Sequence, residues 1–530
     1  MLALLNDVNT YRKIMKDPTK PTQNNINKLI SKWCSMNYID NNTAKNLKSY
    51  NSVIPKIYGL PKLHKDGIPL RPIISNTLAP TYKLSKYIGN CLSNIIHKSE
   101  HYVKDSFEFC KFVQNIRIPN NYVFISLDVV SLFTNISVEN VIKIINKKWS
   151  SIQVYTTLPI EDFIIALKLV LNSTFFQYNA EYYIQHFGTA MGSPLSSIIA
   201  ELIMEEMKEN LIPEIKEHIT FFKRYVDDCL LCCPPEEINN ILEIFNTYDP
   251  RLKFTIEREN NNQINFLDIT LLKNSNGTIQ TTWHTKHVWT ASYINFNSIT
   301  PFKYKISVIN SLVDRAIRLS SKPFKSANLN KVRNTLKING YPDNIINKYV
   351  KKRLKTLNIQ NKSNNSEIIT TEKKFTSITY HKNITEQIEH IFRKDTDIKL
   401  VPIPYSTLRR KIYTNPKTKV PFKDISNTIY KIDCADCDNC YIGQTKNYIH
   451  NRINNHKNDI KNGQQKTALA THAIQNLHKF KFDNTKILHI EQNYNKRLFI
   501  EMTEILKSKA VNFNTDISNL SHTYFNLICS

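Results

Sequence analysis

The stretch Phe221-Phe222-Lys223-Arg224-Tyr225-Val226-Asp227-Asp228-Cys229-Leu230-Leu231 sets two adjacent carboxylates between two apolar runs. Strong β-formers around a short polar break predict a hairpin with the anions at its tip. Neighbouring anions repel each other. Hard oxygen ligands on a tight turn suit Mg²⁺, which takes one or two carboxylates and fills its shell with water and substrate phosphates. A solvated Asp-Asp turn is the plain alternative, because turns favour Asp. A third carboxylate, Asp128, ends the apolar run that begins at Tyr122. A bare Asp at the end of a strand buried on both faces is costly unless it is paired or metal-bound. Phe133, five residues on, is placed to wall the floor of a site around Asp128. Lys65 and Arg71 flank Asp66-Gly67, a strong hairpin signal. Two cations on such a ribbon suit a triphosphate, Arg as a fork and Lys as a point charge; a solvated basic hairpin is the alternative. Gly188 and Gly192 precede Ser193, a predicted N-cap, and Pro194, a predicted first helical residue. Their loop would let a base pair or sugar approach the backbone closely.

A second reactive set lies near the C-terminus. Tyr430 falls in one short strand pattern and Tyr441 in another. Arg452 and His456 are four apart, hence on one helix face, and Arg497 and Glu501 repeat that spacing. A surface helix would carry the same pairs. Cys434-x₂-Cys437 and His472-x₅-His478 supply two thiolates and two imidazoles, a set that suits tetrahedral Zn²⁺. Free thiols and surface histidines are the alternative, and Cys440 is a spare thiol able to replace a ligand.

Positioning these groups takes more than one core. A chain of 530 residues predicts two to four domains. Lys plus Arg number 71 against 45 for Asp plus Glu, a formal charge of +26. Such a surplus strains the compact state by self-repulsion, and phosphate is the partner that relieves it. No apolar run is long enough for a transmembrane helix, and the start lacks the charged region of a secretory signal; no membrane partner is expected. The ten cysteines lack the spacing of a disulfide framework, which predicts a reducing compartment. Only nine glycines occur, so each is expected where backbone geometry demands it. Residues 1–50 read as mostly helical and carry no evident chemistry. The segment 264–284 reads as a hairpin around Asn276-Gly277, and 302–320 as a helix. Lys348–Lys355 holds five positive charges, a solvated helix face, a nucleic-acid tether or a nuclear import signal. The polar stretch Asn361–Glu372 predicts a domain linker.

Asp128 with Phe133, the Gly188–Pro194 loop and Tyr225-Val226-Asp227-Asp228 follow the order and spacing of reverse transcriptase palm motifs. The phrases Tyr58–Lys65, Leu70–Ser75 and Ile264–Asp268 resemble those of Penelope-like retroelement reverse transcriptases, over about residues 50–320. The resemblance implies an α+β multidomain chain with a right-hand (fingers-palm-thumb) polymerase fold. It implies that Asp128, Asp227 and Asp228 hold two Mg²⁺ ions, Asp228 less directly. Phe133 would be the gate against a 2′-hydroxyl, Lys65 and Arg71 the fingers cations on the triphosphate, and the loop at Gly192 a substrate contact. Residues 264–284 would grip the primer, 302–320 would belong to the thumb, and Phe375–Lys423 resembles the family's connector. A region longer than the roughly 50 residues before the fingers is also implied.

Residues 426–520 resemble a GIY-YIG endonuclease, although the first triplet here, Thr428-Ile429-Tyr430, lacks the leading glycine. That likeness implies single-metal phosphodiester hydrolysis. Glu501 would bind Mg²⁺ or Mn²⁺, and Tyr430 or Tyr441 would help activate water. Arg452 would stabilise the phosphorane charge; His456 would be a general base, and Asn514 would orient the site. Cysteines between the tyrosine strands, with paired histidines downstream, are a feature of the Penelope-type nuclease.

The expected organisation is an N-terminal helical extension (1–50), fingers and palm (51–300), thumb (301–360), linker and connector (361–425) and a small α/β GIY-YIG endonuclease domain with a zinc site (426–530). The expected function is RNA-directed DNA polymerisation from an RNA template, a DNA primer or target and dNTPs. The nuclease would nick target DNA to prime it, and the location would be the nucleus. Two alternatives compete. A decayed or domesticated nucleic-acid-binding derivative would be expected to lose at least one catalytic side chain, yet all three polymerase carboxylates, Arg452 and Glu501 remain. A telomerase-like chain extending existing ends would need no nuclease.

Overall fold

The computed structural model describes residues 1–63, 65, 67–96, 99–360, 374–404 and 420–521. The linker expected at Asn361–Glu372, the turn residue Asp66 and part of the expected connector lie outside them. The N-terminal part holds β1 (Tyr11–Ile14), α1 (Thr19–Ser35) and the ribbon β2 (Ile57–Pro61) and β3 (Leu70–Ile74). Next come β4 (Val123–Val129), β5 (Phe175–Tyr178), β6 (Glu181–Gln185), α2 (Ser196–Ile215), β7 (Phe221–Tyr225), β8 (Asp228–Cys233) and β9 (Phe254–Arg258). A second run holds β10 (Gln263–Phe266), β11 (Ile269–Lys273), β12 (Ile279–Trp283), α3 (Phe302–Arg318), α4 (Lys325–Ile338) and α5 (Asp343–Gln360). Then follow β13 (Lys374–Tyr380), α6 (Ile384–Asp395) and β14 (Ile398–Pro404). The last unit holds β15 (Thr428–Asp433), β16 (Cys440–Thr445), α7 (Ile449–Lys461), α8 (Ala468–Gln475), β17 (Lys486–Ile490) and α9 (Tyr494–Leu506).

The central sheet has the order β7-β8-β4-β9, all antiparallel. Its two faces feed two cores, which is why β4 and β8 read as unbroken apolar runs. Ile125, Leu127, Cys229, Leu231 and Cys233 enter one core with Ile26, Ile30 and Trp33 of α1 and with Ile199, Leu202 and Met207 of α2. Phe124, Phe221, Leu230 and Cys232 enter the other with β10 to β12 and Ile309, Leu312, Val332, Leu336 and Val350 of the α3–α5 bundle. The expected hairpin at 264–284 is a three-stranded sheet, because Leu267 takes a left-handed backbone (φ 54°) and splits its first arm in two.

Residues 1–50 are mostly helical, with one strand among them: β1 pairs with β6, and Tyr11 packs edge-on against Phe176 at 5.9 Å. The helix expected to start at Ser193-Pro194 begins at Ser196. The residues before it form turns, and Ile74 N–H donates to Met191 O at 2.8 Å.

The C-terminal unit is a three-stranded antiparallel sheet, β16-β15-β17. Tyr430 and Ile432 face α7 and α8, with Ile449, Ile453 and Leu469 in their core. Ile429 and Ile442 face Ile505 of α9. Among the described residues, no helix is long and apolar enough to cross a membrane.

Candidate active sites

The register of the central sheet sets Asp128 opposite Asp228. Residues paired this way project from the same face, with Cβ atoms about 4.5–5.5 Å apart. Tyr225 and Asp228 close the β7–β8 hairpin, so Val226 and Asp227 form a two-residue turn at its tip. Asp128, Asp227 and Asp228 are therefore brought to one end of the central strands. Burial pushes the Asp228 carboxyl up to about 6, with Asp227 and Asp128 adding to the rise. Asp227 is raised by burial and by Asp128, and partly relieved by Arg71 and Lys62. The three carboxylates concentrate negative charge at this end of the sheet, where a divalent cation is favoured, although their oxygens do not all lie within 4.8 Å of one another.

The hairpin tip is strained and braced. Val226 is β-branched yet has φ 56°, a conformation such residues rarely adopt. Arg224, 2% exposed, donates from Nη1 to Val226 O at 2.8 Å and to Glu201 at 2.8 Å, and from Nη2 to Glu205 at 3.0 Å. Both glutamates stand on α2. An arginine inside an apolar strand was the sequence signal for this brace.

The basic ribbon reaches the same end of the sheet. Lys65 Nζ lies 3.0 Å from Asp128 Oδ2. Arg71 is exposed on β3, opposite Leu60. Lys62 joins them: burial, Lys65 and Arg71 all lower its pKa, while Asp128 and Asp227 raise it. Sequence reasoning missed Lys62, although it lies in the same phrase as Lys65. Phe133 sits half-buried on the turn after β4, against the first core.

Gly192 sits against the basic ribbon. Its φ is 120°, and a Cβ there would lie 2.2 Å from Ile74 O, so the close approach it permits is that of β3. At Gly188 a Cβ would meet Phe133 O and Thr134 at 2.6 Å. Both glycines let the loop lie against neighbouring backbone.

Residues 63–261 match the family model for the reverse transcriptase (RNA-dependent DNA polymerase). This chain carries a reverse transcriptase domain. Residues 292–351 match the animal helix-turn-helix domain, which spans α3, α4 and the first half of α5. No curated protein matches the chain. Among solved structures it is similar to telomerase from Candida albicans in complex with a telomeric RNA fragment, at 13% identity and TM-score 0.40, covering 59% of this chain and 58% of that one. Apo telomerase from Candida tropicalis gives 11% identity and TM-score 0.37, with 66% of each chain covered. The RNA-dependent RNA polymerase of a human picobirnavirus gives 12% identity and TM-score 0.37, covering 58% of this chain and 64% of that one. The chain thus spans less than two thirds of the length of these relatives.

Beyond the reverse transcriptase domain, α5 exposes Lys348, Lys351, Lys352 and Lys355, while Arg353 is tied to Asp314 by two bonds of 2.7 Å. Residues 302–360 hold fourteen Lys and Arg against two Asp and no Glu.

In the C-terminal unit, Tyr430 is fully buried, 2.8 Å from His456 Nε2, and accepts from Arg452 Nε at 3.2 Å. Burial and Arg452 hold the His456 pKa down at about 3. His456 is therefore neutral, and it shares one hydrogen bond with the Tyr430 hydroxyl whose direction its tautomer sets. The general-base role expected for it needs correcting: neither His456 nor Tyr430 has exposed surface, so the imidazole does not meet bulk water directly. Burial pushes Tyr441 up to about 12 and Tyr430 further up. Glu501 is raised to about 7 by burial, against a 2.8 Å bond from Gln444. Arg497 Nε fixes Gln444 from its other end at 2.8 Å. Gly443 stands opposite Tyr430 in the register, and a Cβ there would lie 2.7 Å from Tyr430 Oη and from Tyr441 Cε1. Asn514 is not brought into this cluster; it is exposed on a short helix. Asn512 does the fixing instead, bonding Ile442 N and O at 3.0 and 2.8 Å.

Cys434, Cys437, His472 and His478 converge. Their ligand atoms lie within 4.8 Å of one another, and among the described residues no other set of three or more His, Cys, Asp or Glu does so. Cys434 Sγ lies 3.7 Å from His472 Nε2 and 3.6 Å from His478 Nδ1, and Cys437 Sγ lies 3.6 Å from His472 Nε2. The two imidazole nitrogens are 3.1 Å apart. A tetrahedron with Zn–S and Zn–N bonds of ordinary length has edges of about 3.3–3.8 Å, so the donor set fits. Cys440, the expected spare, faces Lys509 O at 3.6 Å instead.

Proposed function

We propose that the chain is the RNA-directed DNA polymerase of a Penelope-like retroelement, coupled to a C-terminal GIY-YIG endonuclease whose nick in target DNA primes synthesis. The observation that carries the reading is the pairing of Asp128 with Asp228 beside Asp227, inside the reverse transcriptase match. Divalent magnesium held there would neutralise triphosphate charge and lower the pKa of the primer 3′-hydroxyl. The chain's own groups supply the rest. Lys62, Lys65 and Arg71 present three cations to the triphosphate, Phe133 walls the sugar, and Arg224 holds the strained tip in place. The lysine face of α5 and the charge of the α3–α5 bundle support a grip on nucleic-acid backbone, which fits a thumb at 301–360.

In the C-terminal module, the hydrogen bond from Arg452 and the neutral His456 together polarise Tyr430, and Glu501 is the carboxylate a Mg²⁺ or Mn²⁺ ion would use. Cys434, Cys437, His472 and His478 would hold a structural Zn²⁺. Partners on this reading are template RNA, primer or target DNA, and dNTPs, and action on genomic DNA puts the protein in the nucleus.

The test compares the native chain with Asp227→Ala and Glu501→Ala. Asp227→Ala should lower primer extension on RNA at least about a hundredfold and spare nicking. Glu501→Ala should do the reverse on a pre-annealed primer. Extension lost in both variants would overturn the two-module reading.

A further inference from the structure

Residues 1–50 contribute no group to either chemistry, yet they meet the C-terminal module. The α1 helix is fixed to the polymerase body, because Ile26, Ile30 and Trp33 lie in its core and Trp33 Nε1 donates to Asp162 at 3.0 Å. Its N-terminal end projects to residue 448. Gln23, 1% exposed, donates to Tyr448 Oη at 3.1 Å and accepts from Ser52 N–H at 3.2 Å. Lys20 Nζ lies 4.3 Å from the Tyr448 ring centroid and 3.7 Å from Asp424. Just past residue 50, Asn51 grips Ser426. Its Oδ1 accepts from Ser426 N–H at 2.8 Å and from Ser426 Oγ at 2.7 Å, and its Nδ2 donates to Ser426 O at 3.0 Å. Ser426 is 2% exposed, so these bonds satisfy groups that water scarcely reaches.

Both contacts continue into the candidate nuclease site. Tyr448 caps the N-terminus of α7, the helix that carries Arg452 and His456. Ser426 adjoins Asn427, whose Oδ1 accepts from Arg497 Nη1 at 3.3 Å. Arg497 holds Gln444, and Gln444 holds Glu501. We infer that the end of α1 and the turn at 48–52 form a docking surface for the C-terminal module, and that this docking sets the geometry around Arg452 and Glu501. The second half of the inference rests on the nuclease reading. Asn51, Gln23 and Tyr448 are positioning residues on this view. Nicking by the module then depends on the polymerase body, while polymerisation does not depend on the contact.

The experiment uses the full chain with Asn51→Ala and, from the opposite side of the contact, Tyr448→Phe, which removes only the hydroxyl. Amide hydrogen exchange, nicking of duplex DNA and extension of a pre-annealed primer are measured together. In each variant, exchange across 424–428 and 447–453 should speed up about tenfold or more. Nicking should fall about tenfold, and extension should stay within about twofold. Unchanged exchange in both variants would overturn the docking surface. Faster exchange with unaltered nicking would overturn its positioning role. A native chain that extends primers but never nicks would sink the nuclease reading, and the exchange result would still decide the docking.

Discussion

Asp228 stands at the junction of a buried strand and a charged tip, and its carboxyl is raised from 3.8 to about 6. An acid raised this way is protonated in the folded chain while already ionised in the unfolded one. Stability is therefore lost as pH rises from about 4 through about 6. For a fully buried group the loss would be roughly 3 kcal/mol, and solvent screening at this half-exposed one leaves about 1 kcal/mol. Asp228→Asn should stabilise the fold by that amount at pH 8, with the gain fading between pH 6 and 4. Mg²⁺ should raise the melting temperature of the native chain more than that of the variant. Thermal melts at pH 8, 6 and 4, with and without Mg²⁺, check both; a variant less stable than the native chain at pH 8 would refute the account. The carboxylates themselves were legible in the sequence, because Asp is conspicuous at the end of apolar runs. Their braces were not. Glu201 and Glu205 reach Arg224 from another element, and only the docking of α2 under β7 brings them together.

Elements carried most of the legible fold. The β7–β8 hairpin, β4, the helix α3 and the two tyrosine strands follow from apolar periodicity and turn residues. The start of α2 was legible only to within a few residues: Ser193 Oγ accepts from Leu195 N–H at 3.4 Å, yet the regular helix begins at Ser196, after a turn. The strand β1 was hidden, because four residues become a strand only by pairing with β6. In the C-terminal unit, the loop between β15 and β16 and the end of α8 are pinned by Cys434, Cys437, His472 and His478. Metal analysis should find one zinc per chain, and Cys434→Ser with Cys437→Ser should bind none. Stripping the metal with a chelator should lower the melting of this module by at least roughly 10 °C, since 1 kcal/mol shifts a domain of about 100 residues by about 4–8 °C. Unchanged melting after complete removal would make the cluster a set of free thiols and imidazoles.

At the scale of the whole molecule, one sheet separates two cores, and its open end gathers cations from the N-terminal ribbon onto anions from the centre. That convergence was only half legible: the motifs announced both charges, while the distance between Lys65 and Asp128 depends on how the ribbon folds over the sheet. Their ion pair has a thermodynamic corollary. A divalent cation and Lys65 compete for one carboxylate oxygen, so a nucleotide that draws Lys65 onto its phosphates frees that oxygen for the ion. Nucleotide and ion then bind cooperatively, each tightening the other by the same factor. Mg²⁺ affinity measured with and without dNTP should differ severalfold in the native chain, and Lys65→Met should flatten the difference while binding Mg²⁺ more tightly on its own. The lysine would then act as a stand-in counterion that the substrate itself dismisses.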